Sequence, residues 1–375
     1  MKDPRLVKLV KNLLEYAIEL KPGEKLYLEI RGFPTLDLAK ELIVQCTQKG
    51  GIPFWYYNDE SVLRHWLLNA TEEQMKEFGK FHLEIMKSVD AYLGLRGSEN
   101  FFDLSDIPEE KMKLYQLHYF KPVHLEERVK KKRWCVLRYP SNSFAQMAEM
   151  STEQFEDFFY KVCNLDYSQM SKGMDLLVEL LKKTDMVRIV GPGTDLKLSI
   201  KEMPWVKCDG KINIPDGELF SAPIKNSVNG HISFNTPSLY DGVVYDGVRL
   251  EFESGKIVKS TCKNNPERLE KILNTDEGAR YIGEFSFGLN PGIKKPMKDI
   301  LFDEKISGSI HLTPGNCYDE ADNGNKSAIH WDLVLIQTKE HGGGEIYFDD
   351  KLIRKEGKFV IPEMEKAFSA EELGL

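Results

Sequence analysis

Histidines at 311 and 330, a tyrosine at 318 and an aspartate at 332 lie close together near the end of this 375-residue chain. The segments that carry three of them, Gly308-Ser309-Ile310-His311-Leu312 and Ile329-His330-Trp331-Asp332-Leu333-Val334, otherwise read as buried strands. Burying an imidazole or a carboxylate without a partner costs free energy, so the cluster calls for an explanation, and a bound metal ion is one. Strand alternation puts His330 and Asp332 on one face and Trp331 and Leu333 on the other. Taken alone, a His-x-Asp pair is more often a hydrogen-bonded couple than a pair of ligands. His311, on a second strand-like run able to lie alongside, tips the reading toward a metal.

Acids from earlier in the chain are able to complete such a shell. Glu218 follows the Asp216-Gly217 turn, Glu284 lies in Tyr281-Ile282-Gly283-Glu284-Phe285, and Glu304 precedes His311 in Leu301-Phe302-Asp303-Glu304-Lys305. Each by itself is most simply a surface acid. Combined with two histidines and an aspartate, they form an oxygen-rich, nitrogen-containing set suited to two divalent ions such as zinc, cobalt or manganese, with magnesium also compatible. A single structural zinc would more often recruit thiolates. The six cysteines occur singly, with no Cys-x-x-Cys pair, which speaks against a zinc knuckle or a disulfide framework and fits a reducing cytoplasm.

The elements that must position these residues fall into two textures. Up to about residue 185, helical periodicities alternate with strand-like runs such as Lys25-Leu26-Tyr27-Leu28-Glu29-Ile30, Ile52-Pro53-Phe54-Trp55-Tyr56-Tyr57, Ala91-Tyr92-Leu93-Gly94-Leu95 and Trp134-Cys135-Val136-Leu137. This predicts an α/β domain over 1–185 with a largely parallel sheet. Asp3-Pro4 opens a helix, and Ser151 with Gln154 makes a capping box for another. From Val187 onward, short alternating runs and glycine turns predict a β-rich α+β catalytic domain over 186–375 that binds the metal. Gly191-Pro192-Gly193-Thr194 is read as a turn, because β pattern rather than a helix follows it.

A net charge of -8 argues against general nucleic-acid binding, and the basic run from Arg128 to Arg133 is read as a solvated helix end. No apolar run approaches membrane-spanning length, so no membrane partner is expected.

The strings Ile214-Pro215-Asp216-Gly217-Glu218-Leu219-Phe220, Asp276-Glu277-Gly278-Ala279-Arg280, Gly283-Glu284-Phe285, Leu301-Phe302-Asp303-Glu304-Lys305 and Ser327-Ala328-Ile329-His330-Trp331-Asp332-Leu333-Val334, in this order, resemble the thermophilic-type metallo-aminopeptidases, the family of aminopeptidases T, S and II. The resemblance implies metal ligands at Glu218, Glu284, His311, His330 and Asp332, with Glu304 a sixth, and Tyr318 beside the metals as ligand or transition-state donor. It also implies a homodimer, and an activity that removes N-terminal residues from peptides with a free α-amine, through a water activated at a dinuclear site. Glu284, a metal-adjacent acid, is the expected proton acceptor. One departure is Leu312-Thr313-Pro314-Gly315, where the family continues Leu-Ala-Leu-Gly; it leaves loop shape and side-chain preference open. The alternatives are a metal-dependent hydrolase of another amide or ester, and a non-catalytic metal- or peptide-binding protein.

Overall fold

A computed structural model describes residues 3–240 and 242–375. The chain divides into two compact units: the first runs to Asn164 and includes Gly210–Pro215, and the second comprises Leu165–Asp209 and Asp216–Leu375.

The first unit is built on a parallel sheet of β1 (Lys25–Arg31), β2 (Ile52–Asn58), β3 (Ala91–Arg96) and β4 (Arg133–Arg138), in the order β2-β1-β3-β4, closed by the short strand Asn213–Ile214. Residues 26–30 of β1 and 91–95 of β3 are buried without interruption, as expected of inner strands covered on both faces. The opening helix, Pro4–Lys11, is capped by Asp3, which accepts from the Arg5 N–H; Ser151 and Gln154 form the expected capping box of helix Thr152–Cys163. The basic run departs from its reading: Arg128 is buried, its guanidinium over the Trp134 ring at 4.1 Å, while Lys130 and Lys131 are exposed. A charged side chain whose planar head stacks on an indole can be enclosed where lysine would not be.

The second unit is β-rich, so the α/β-then-β architecture read from the sequence holds. Its inner sheet has five strands, in the order β8 (Leu333–Ile336), β7 (Ser309–Pro314), β6 (Ile282–Gly288), β5 (Glu218–Ser221) and Val206–Cys208, all antiparallel. An eight-stranded sheet that includes Met186–Gly191, Thr194–Ser199 and Glu345–Phe348 packs against it, with Phe287 meeting Phe348 at 6.2 Å between ring centroids. Gly191 to Thr194 is the turn of a hairpin in that sheet, and Asp349-Asp350 turns another.

Directly opposed residues in an antiparallel ladder share a face. Register therefore sorts the inner sheet: Leu219, Phe285, Phe287, Ile310, Leu312, Leu333 and Leu335 point to the core between the sheets, whereas Glu218, Phe220, Glu284, Ser286, His311 and Thr313 point to the other side. One face holds the fold together and the other carries the chemistry.

Candidate metal centre

Glu284 owes its position to a local irregularity. The ladder between β6 and β7 shifts register between Ile282 and Glu284, leaving Gly283 as the extra residue. A side chain at 283 would meet the carbonyl oxygens of Gly315 and Asn316 at 2.4 Å, so only glycine lets the two segments approach this closely. Gly217 plays the matching part before Glu218, with φ at +126° and Asn290 pressed against it.

With the strands so placed, the acids and imidazoles converge. His311, fully buried, directs Nε2 to Glu218 Oε1 at 3.3 Å and to Glu284 Oε1 at 3.0 Å. On the far side of Glu284, Oε2 lies 3.4 Å from His330 Nε2, which is also 3.4 Å from Asp332 Oδ1. Two groups result that are each able to hold an ion, Glu218–Glu284–His311 and Glu284–His330–Asp332, sharing Glu284. His330 Nδ1 lies 2.9 Å from the carbonyl of Asn316 and so must donate to it, which leaves Nε2 as the nitrogen turned toward the carboxylates. Glu284 Oε2 is buried with no hydrogen-bond partner among the described residues, an oxygen that a cation would satisfy.

Glu304 stands outside both groups, its carboxylate against the ammonium of Lys305. Lys305 is wholly enclosed and also faces Glu218 at 3.8 Å and Asp216 at 4.0 Å. Tyr318 packs its ring on His330 at 4.7 Å and Phe220 at 5.4 Å while remaining about half exposed. Sequence reasoning named every acid and imidazole of the two groups but missed three supports. These are Lys305, Ser286, which donates to Glu218 at 3.0 Å, and Thr313, which donates to Asp332 at 2.5 Å. For Thr313 and Ser286 the usable signal was strand parity, since both alternate with apolar residues on the face that carries His311 and Glu284.

Electrostatics in the metal-free chain follow from this crowding. Burial raises the Glu284 pKa, yet the imidazoles of His311 and His330 beside it outweigh this and hold the carboxylate below its usual range. Burial pushes the Glu304 carboxyl up; Lys305 opposes this, while Glu218 and Asp332 add to it. The Tyr318 phenol is pushed up by burial and then by Glu284 and Asp332, so it keeps its proton. For His330, burial disfavours the charge, but Asp332 and Glu284 prevail and raise its pKa from 6.5 to about 9.

That last shift predicts a pH dependence. A folded-state pKa raised from 6.5 to about 9 contributes stability fully present below pH 6.5 and lost as pH rises through 9. Chelated protein should therefore melt at progressively lower temperature between those limits. Zinc should stabilise it more at pH 9 than at pH 6, because a divalent ion displaces the proton. Melting curves with and without chelator check this; a flat profile from pH 6 to 9 would remove the imidazolium from the account.

A converging set of carboxylates and imidazoles on one face of an antiparallel sheet is a donor set able to hold divalent ions. Residues 2–359 match the family model described as Thermophilic metalloprotease (M29), and the chain belongs to that family. It is 22% identical to aminopeptidase PepS of Streptococcus thermophilus over 88% of this chain and 91% of that one. With aminopeptidase T of Thermus aquaticus it shares 30% identity over 41% and 43%. The solved structure of wild-type AmpT from Thermus thermophilus superposes with a TM-score of 0.78 at 21% identity, covering 96% of this chain and 99% of that one. A dihydroxypyridine dioxygenase from Pseudomonas putida KT2440 shares the fold with a TM-score of 0.63 at 13% identity, covering 97% and 99%. Since an oxygenase and a peptidase share this fold, the family match and the site carry the function, not the architecture.

Proposed function

We propose that the protein is an aminopeptidase with a dinuclear centre, in which Glu218, Glu284 and His311 hold one divalent ion and Glu284, His330 and Asp332 hold the other. The observation that carries this reading is Glu284, whose two oxygens are turned to two different histidines. Charge supports it as well. Asp216, Glu218 and Glu304 face the ammonium of Lys305, and Glu284 and Asp332 stand with the two histidines next to Glu218, a surplus of carboxylates that two divalent ions would neutralise. Oxygen and imidazole donors suit zinc, cobalt or manganese. The names of the relatives, and the resemblance in the motifs around these residues, favour peptides with a free N-terminus as substrates.

When bound, the ions would polarise the scissile carbonyl and lower the pKa of a water. The chain's own residues supply the rest. Glu284 is engaged through both oxygens, so we assign it as the shared ligand and give proton acceptance to a carboxylate oxygen of Glu304, which lies beside the centre against the Lys305 ammonium and whose pKa, raised by burial, suits it to take up a proton near neutral pH. Tyr318, protonated and at the open side, donates from its hydroxyl to the oxyanion. A cavity of about 90 Å³ adjoins His330 and Asp332; it is lined by Thr236, Tyr240, Ile300 and Val334 among others and would take part of the substrate. Among the described residues no helix is long and apolar enough to cross a membrane; the six free cysteines fit a reducing cytoplasm.

Leucine p-nitroanilide and its N-acetylated counterpart test the claim directly. Metal-restored protein should cleave the first at least ~100-fold faster in kcat/KM, a difference of about 2.7 kcal/mol in transition-state binding. Equal rates on both would leave a hydrolase that does not read the α-amine.

A further inference from the structure

In the first unit the chain leaves β1 for β2 on one side and then crosses to β3 on the other, so the strand order β2-β1-β3-β4 reverses between β1 and β3. Open parallel sheets bind ligands outside the carboxyl ends of their strands, at such a switch point. Here those ends carry arginines. Arg31 is the last residue of β1 and Arg96 the last of β3; the two are in direct register, and Arg138 at the end of β4 continues the row. Register places all three on one face of the sheet.

Charge on this face is out of balance. Glu29, enclosed on β1, accepts through Oε1 from Arg31 Nε at 2.8 Å and Arg96 Nη1 at 2.9 Å, and through Oε2 from the Tyr92 hydroxyl at 2.7 Å. It is the only carboxylate ion-paired with either arginine among the described residues. Arg128 joins them from the helical segment Gln116–Val129 that covers the same face, its guanidinium over the rings of Tyr92 and Trp134. It is 8% exposed, ion-pairs with no carboxylate among the described residues, and keeps Nη1 buried without a partner. Its Nε donates to His124 Nδ1 at 3.2 Å, and burial pushes the His124 pKa down to about 3, so that imidazole adds no charge. Three guanidiniums thus stand against one carboxylate, a surplus of two positive charges on a face where the Arg31 and Arg96 side chains are each only 16% exposed. Uncompensated charge so enclosed is costly, and an anion relieves it.

We propose that the carboxyl ends of β1 and β3 hold a small oxyanion, a phosphate or a carboxylate, in the forks of Arg31 and Arg96. Both side chains keep donors for it. Arg31 Nη1 and Arg96 Nε have no partner among the described residues, while Glu29 and the Tyr92 hydroxyl fix the other edges of the two guanidiniums. Neighbouring strands set the forks about 4.8 Å apart. A planar guanidinium matches the paired oxygens of phosphate and carboxylate, which an ammonium does not. Glu29 lies deeper than the forks, at 1% side-chain exposure against their 16%, so an anion arriving from solvent meets guanidinium before carboxylate. In a chain of net charge -8, such a positive face is a local exception that draws anions to one place. This inference stands apart from the metal centre and does not depend on it.

Calorimetric titration of the full chain with sodium phosphate and, separately, sodium acetate tests it, with sodium chloride of equal ionic strength as the reference. Metal is first stripped and the chelator dialysed away, so that neither a bound ion nor the chelator's own carboxylates compete. One phosphate or one acetate per chain should bind with a Kd below ~1 mM; the tighter of the two assigns the site to phosphates or to carboxylates. Arg31→Met should weaken that binding at least ~10-fold, and Arg96→Lys, which keeps the charge and loses the fork, should weaken it as well. In the wild type, metal-loaded and metal-free alike, the bound anion should protect Arg31 and Arg96 from phenylglyoxal, read residue by residue by mass spectrometry. Saturable binding of neither anion would overturn the proposal, as would binding of unchanged affinity in both variants. Binding that leaves Arg31 and Arg96 unprotected would do the same. Should a variant misfold, the wild-type stoichiometry and protection pattern decide alone.

Discussion

Alanine in place of His311 is expected to cost at least one bound ion per chain and nearly all turnover, while far-UV circular dichroism stays close to wild type. His311 is enclosed on β7 with its Nε2 within 3.3 Å of Glu218 and 3.0 Å of Glu284. Removing the imidazole deletes the only nitrogen of the Glu218–Glu284–His311 group and leaves two buried carboxylates facing each other. The loss in kcat/KM should exceed the ~10–100-fold that outer-shell substitutions around metals cost. Elemental analysis with turnover on the same samples checks the assignment, and a variant that keeps both ions and most of its activity would remove His311 from it. Glu304→Gln is the informative contrast. If Glu304 accepts the proton, the variant should retain its ions and lose ~10²–10⁴-fold in kcat. Loss of metal in Glu304→Gln would make it a ligand instead, the sixth that the sequence motifs imply.

Lys305→Met is expected to have the largest effect on stability. Its ammonium has no exposure and faces Glu304, Glu218 and Asp216. Although burial favours the neutral amine, those carboxylates win and hold the pKa well above its ordinary value, so the charge is an integral part of the interior. Methionine keeps much of the volume and strands the acids. Breaking a buried ion pair in this way typically costs about 3–5 kcal/mol. For a unit of this size that corresponds to a drop in Tm of roughly 10 °C. The drop should be greatest in chelator and partly offset by zinc, which supplies positive charge to the same carboxylates. A melt within about 2 °C of wild type in chelator would show that the acids relax or protonate at little cost.

Much of the architecture was legible because it rests on local periodicity. Apolar runs of β1 and β3, the Asp3 and Ser151 caps, and the turn at Gly191–Thr194 depend on neighbours in the chain. The two-residue alternation that places His330 beside Asp332 with Trp331 opposite does so too, and Trp331 is indeed buried, stacked on Tyr240 at 4.9 Å. Lys305 was not legible. A lysine following two acids reads as a solvated salt bridge, and only the packing of Glu218 and Asp216 from far along the chain shows its charge to be buried. Arg128 was misread for the same reason: a run of basic residues looks solvated until Trp134 and Tyr92 are found beneath its guanidinium.

By itself the amino-acid sequence determined the donor types, two imidazoles and several carboxylates with no paired thiols, and the alternation that turns them to one side of their strands. Only the tertiary structure decided that Glu218, Glu284, His311, His330 and Asp332 meet at one place, and that Glu284 is the residue they share. The reason is that sheet register is a long-range property. Glu218 comes near His311 because β5 pairs with β6 and β6 with β7, and Glu284 reaches both histidines because the bulge at Gly283 resets its strand by one residue. A slip of one residue would turn every one of these side chains into the apolar core.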